Sequence, residues 1–149
     1  MIGICFRLKL TSVIDLPFGL TISETARYYR WKHAFVQFHR GRILSIEVAS
    51  PKWSADYIDS ELKDWLRMAY KALVNKYGKP QEVVRPIDEI NIFSFKTGYG
   101  VFLYKWVTNE QRVVLSISEY ESQFSGGIDY LDLKTQKQID AESKTETHL

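Results

Sequence analysis

Cysteine is almost missing from this chain. Cys5 is the only one among 149 residues, which excludes an internal disulfide framework and a cysteine-rich zinc site. Histidine is scarce too. His33 and His39 share a strand parity but stand roughly 20 Å apart on an extended strand, too far to ligate one metal, and His148 lies near the end. Eight glycines and four prolines are too few for a collagen-like or low-complexity chain. No apolar run approaches the ~18 residues of a membrane span. The early stretch from Ile2 to Leu10 is broken by Arg7 and Lys9, and Asp15 and Pro17 follow, so no export signal is expected and the chain reads as cytoplasmic. A net charge of +2 does not by itself imply a nucleic-acid binder.

What is present is a sizeable core. Apolar residues make up 45% and aromatics 14% of the sequence, which excludes a disordered protein. The length fits one domain, able to bury roughly 68–70% of its unfolded surface without staples.

The period of the apolar residues gives an α+β pattern. Residues 3–10 end in alternation, with Phe6, Leu8 and Leu10 opposite Arg7 and Lys9, and predict a strand. Thr21 with Glu24 three residues on forms a candidate capping box for a short helix over 22–30, although Tyr28 and Tyr29 are poor helix formers. Residues 33–49 predict a hairpin: Ala34, Val36 and Phe38 alternate outward, Arg40-Gly41 turns, and Leu44, Ile46 and Val48 alternate back.

The strongest element is a helix over 55–77. Ile58, Leu62, Trp65, Leu66, Ala69, Leu73 and Val74 form one stripe of 3.6-residue period, and Lys63, Arg67 and Lys71 are expected outside it. Gly78 and Pro80 give the stop. Four short strands then follow, at 90–95, 101–107, 112–118 and 127–133, joined by connections too brief for parallel crossovers. Simple alternation puts Val101, Leu103 and Val107 on one face of the second, and Phe102, Tyr104 and Trp106 on the other. Residues 134–149 are polar and are expected as a mobile tail or a frayed helix outside a 1–133 domain.

Motifs for chemistry are few. Gly98-Tyr-Gly100 lies between two strands, so it is a turn and offers no helix N-terminus to a phosphate. Cys5 reads as a small buried hydrophobe. Glu119, Glu121, Asp129 and Asp132 could converge for acid–base hydrolysis, or could simply be solvated strand ends. No catalytic residue, metal or cofactor is assigned.

One segment stands apart. Residues 27–42 carry Arg27, Arg30, Lys32, Arg40 and Arg42, five aromatics and no acid. Charge is polarised along the chain, with residues 1–54 at net +5 and 55–149 at net −3. Cations interleaved with rings suit single-stranded nucleic acid, and they suit an acidic protein partner equally well. They also suit a plain hairpin with a solvated rim. The candidate partner-binding residues are Arg27, Tyr28, Tyr29, Arg30, Trp31, Arg40 and Arg42.

The helix ending Ala72-Leu-Val-Asn-Lys-Tyr-Gly-Lys-Pro80, followed by a meander of antiparallel strands, resembles the layout of small bacterial helix-on-sheet domains. These include the outer-membrane-assembly small lipoproteins and the β-lactamase-inhibitor-protein type. The resemblance implies a protein-binding or inhibitory module, with no catalytic residues to carry over. The sequence therefore predicts an α+β fold, one long amphipathic helix packed on an antiparallel sheet of five or more strands. Its expected function is that of a non-enzymatic protein that binds or inhibits a protein partner: an inhibitor, immunity or adaptor protein of bacterial or phage origin. Single-stranded nucleic-acid binding through 27–42 is the alternative, and a small carboxylate-dependent hydrolase is the second.

Overall fold

The hairpin at 33–49 forms because its alternation lets one face be buried while the turn absorbs the reversal. In the computed structural model, which describes residues 13–15, 21–23, 28–31, 34–91 and 100–146, it comprises β4 (Ala34–His39) and β5 (Arg42–Ala49). Arg40 and Gly41 both have positive φ, 51° and 76°, the two-residue turn whose twist matches a hairpin. Ala34, Val36 and Phe38 are buried and Gln37 is exposed, as the alternation predicts.

Upstream lie β1 (Val13–Asp15), β2 (Thr21–Ser23) and β3 (Tyr28–Trp31). The expected helix over 22–30 is not formed, since Thr21–Ser23 pairs with β1 and Tyr28–Trp31 pairs with β4. Two adjacent tyrosines and a tryptophan favour a pleated strand over a helix, and a neighbouring strand overrides one capping box. The expected strand at 3–10, and Cys5 with it, lies outside the described residues.

Downstream of β5 come the two-residue β6 (Trp53–Ser54), a 3₁₀ turn over Ala55–Tyr57 and a π turn over Ile58–Leu62. These lead into α1 (Lys63–Tyr77). Gly78 ends the helix at φ 81°, with its N–H donating to the Val74 carbonyl at 2.8 Å and its own carbonyl accepting from Trp106 Nε1 at 2.8 Å. Next are β7 (Glu82–Val83), β8 (Gly100–Val107), β9 (Gln111–Tyr120), β10 (Gln123–Asp132) and α2 (Leu133–Glu146). Ile90 closes a 3₁₀ turn over Ile87–Glu89 and Asn91 is in no strand, while residues 92–95 of the strand expected at 90–95 lie outside the described residues.

Among the described residues, eight strands form an antiparallel sheet, seven of them in the order β3-β4-β5-β10-β9-β8-β7, with β6 pairing to β10 off that path. The α+β expectation of a helix on an antiparallel sheet therefore holds. The break between β5 and β6 is closed by Ser50, whose N–H donates to the Gly126 carbonyl at 2.9 Å and whose Oγ accepts from the Gly126 N–H at 2.8 Å.

One face of the sheet packs on the helix stripe. Ile58, Leu62, Leu66, Ala69 and Leu73 meet Leu103, Val113, Leu115, Ile117, Phe124 and Ile128. Trp65 is half-buried, its ring lying over Gly126. Lys63, expected outside the stripe, is largely covered and pairs with Asp59 at 2.7 Å. The alternation expected for β8 fails at its centre. Phe102 pairs with Ser116 but Tyr104 pairs with Leu115, so Leu103 is an extra residue. That bulge buries Leu103, Tyr104 and Trp106 together and leaves Phe102 and Val107 exposed. Among the described residues, no helix is long and apolar enough to cross a membrane.

Residues 134–149 are expected as a mobile tail or a frayed helix. Residues 133–146 form α2, which lies against β5, β9 and β10 with Thr135 fully buried. Asp132 Oδ1 caps it by accepting from the Thr135 N–H at 2.9 Å, a signal hidden in Asp-x-x-Thr.

Candidate partner-binding site

Six of the seven candidate residues fall at one end of the described sheet. Arg27 lies outside the described residues. Tyr28, Tyr29, Arg30 and Trp31 form the backbone of β3, the last strand on that side of the described sheet, and pair with Gln37, Val36, Phe35 and Ala34. Arg40 and Arg42 sit at the β4–β5 turn, both exposed.

The turn gathers more than the two arginines. His39 and Arg42 are cross-strand partners, and Arg40 follows His39 directly. Onto this tip comes Glu142 from α2. Its Oε1 accepts from Arg40 Nη1 at 2.9 Å, and its Oε2 accepts a hydrogen bond from the His39 ring at Nε2, 3.1 Å away. His39 and Glu142 are 28% and 29% exposed, so this contact is partly shielded from solvent, whereas Arg40 is 67% exposed. Arg42 makes no ion pair with a described residue.

No sequence signal points to Glu142, because the contact joins residues 103 apart in the chain. His39 is given no role by the sequence; in the structure its partner is a carboxylate.

Glu119, Asp129 and Asp132, carboxylates that could have converged, have separate roles. Glu119 is buried and its Oε1 accepts from the Ser122 N–H at 2.8 Å, fixing the β9–β10 turn where Glu121 and Ser122 have positive φ. Asp132 caps α2. Asp129 alone points into a groove, on the sheet face turned away from α1. The groove holds about 290 Å³ and is bordered by Ser45, Glu47, Phe102, Arg112 and Leu131.

Glu47 is the direct cross-strand partner of Asp129, which places the two Cβ atoms roughly 5 Å apart. Burial and the Glu47 charge push the Asp129 carboxyl up to about 6, against a hydrogen bond from Ser116 and the Arg112 charge. A second hollow, of about 520 Å³, is bordered by Asp59, Asp88 and Glu89, but Asp59 pairs with Lys63 and Asp88 with Arg67. Among the described residues, no three His, Cys, Asp or Glu side chains converge as a metal ion requires.

Comparison with protein-family models, with curated proteins and with solved structures found no match.

Proposed function

We propose that this protein is a binding module that takes an acidic protein partner at the β3–β4–β5 end of its sheet. The observation behind this reading is the hairpin tip itself. His39, Arg40 and Arg42 are grouped there, and two of them already hold a carboxylate from elsewhere in the chain. Arginine and histidine donors arranged to take both oxygens of one carboxylate recognise charge and direction together. Tyr28, Tyr29 and Trp31, two strands from Arg42, belong to the residue types that dominate binding hot spots. The resemblance to inhibitor-type helix-on-sheet domains points the same way. The reading makes the protein an inhibitor, immunity or adaptor type of molecule.

A titration with two probes tests it. Fluorescently labelled hexaglutamate and a labelled six-nucleotide oligothymidine are compared by anisotropy at low salt. The expected result is tighter binding of hexaglutamate, reduced at least tenfold in an Arg40→Glu/Arg42→Glu variant whose circular dichroism is unchanged. Preference for the oligonucleotide, with a steep salt dependence lost in the same variant, would replace this reading with nucleic-acid binding.

A further inference from the structure

We infer that α2 is a built-in competitor for this site, with Glu142 holding the place of the partner's carboxylate. The inference rests on the reading of the hairpin tip as an acidic-partner site and adds how access to it is controlled.

The geometry of the contact is that of a ligand in a receptor. Both oxygens of Glu142 are engaged, one by Arg40 and one by His39. Gln138, one helical turn earlier, reaches Oε1 with its amide at 3.4 Å and helps hold the carboxylate in place. An incoming acidic side chain has the same donors to satisfy and cannot take them while Glu142 is seated.

The helix is anchored unevenly. Its first turn is fastened by the Asp132 cap, by the Leu133 N–H donating to the Glu110 carbonyl at 2.9 Å, by the Lys134–Glu110 ion pair and by buried Thr135. Beyond Thr135, no residue whose side chain is described is fully buried. In the distal half, Ile139 is half-buried, Glu142 makes its contact with the hairpin tip, and Ser143 and Lys144 make interactions of their own. A polar helix of this length is marginal on its own, so releasing its far end is a low-energy local opening. Tethering gives Glu142 an effective concentration on the order of millimolar, enough to exclude weak acidic ligands while yielding to a multivalent one.

The test uses the full chain, labelled hexaglutamate, and two variants with the same charge change on the same helix. Glu142→Gln removes the competitor. Asp140→Asn changes an exposed residue whose carboxylate accepts from the Gln136 side chain one turn earlier on α2. Glu142→Gln is expected to bind the peptide about two- to fivefold more tightly than the unchanged protein, the scale of one solvent-accessible ion pair, and Asp140→Asn to leave affinity unchanged. Amide exchange over 139–146 should quicken in Glu142→Gln, and in the unchanged protein when peptide is added. If Glu142→Gln binds no better than Asp140→Asn while Arg40→Glu still abolishes binding, the competitor role is wrong and the binding site stands. If hexaglutamate binds neither the unchanged protein nor Glu142→Gln, both fail together.

Discussion

At the scale of single residues, Gly126 and Asp129 show how two neighbouring positions on β10 serve opposite faces. A Cβ on Gly126 would sit 2.5 Å from two Trp65 ring carbons and 3.1 Å from Leu66. Neither ring nor helix can retreat without opening the core, so Gly126→Ala is expected to cost about 1–3 kcal/mol in denaturant unfolding. Asp129 faces the other way. Its carboxyl rises from an ordinary 3.8 to about 6 in the folded protein. The folded state therefore holds that proton more tightly than the unfolded chain. The associated stability is complete below about pH 4 and is lost as pH rises through about 6. Asp129→Asn should accordingly raise the melting temperature relative to the unchanged protein at pH 8 and make little difference at pH 4. A larger gain at pH 4 than at pH 8 would show that the groove does not disfavour the charge.

At the scale of elements, legibility followed periodicity. The long helix is readable because seven apolar residues recur over four turns, and β4 and β5 because they alternate. Leu62 and Leu73 are fully buried on that stripe, and either one changed to Ala should destabilise by about 2–5 kcal/mol in equilibrium unfolding. Elements that break a period were misread. The Leu103 bulge reverses the parity of β8, and nothing in Val-Phe-Leu-Tyr-Lys-Trp announces where the extra residue falls. The strand expected from Gly127 begins at Gln123, so Gly126 lies inside β10, where Trp65 requires the missing side chain. The polar composition of 134–149 leaves a tail and a frayed helix both open, since the docking of α2 depends on a cap, one buried threonine and a long-range carboxylate rather than an apolar stripe. The candidate site was legible by charge alone. Arg40 and Arg42 could be picked from the sequence, but their companions His39 and Glu142 emerge only when the chain is folded.

At the scale of the whole molecule, the charge asymmetry of the sequence becomes a contact between its two parts. The basic part, 1–54, supplies the hairpin tip, and the acidic part, 55–149, supplies the carboxylate that occupies it. Such a pairing satisfies the tip in the isolated protein and leaves Arg42 as the exposed cation beside it. Electrostatic recognition of this kind acts chiefly on association rate and specificity, so binding should weaken with ionic strength. The most direct measurement is a titration of the ¹⁵N-labelled protein with hexaglutamate, following every backbone amide. The account predicts that the largest shifts cluster at 38–43 and along the distal half of α2. Shifts confined to the Asp129 groove or to α1, with the hairpin amides unmoved, would contradict it.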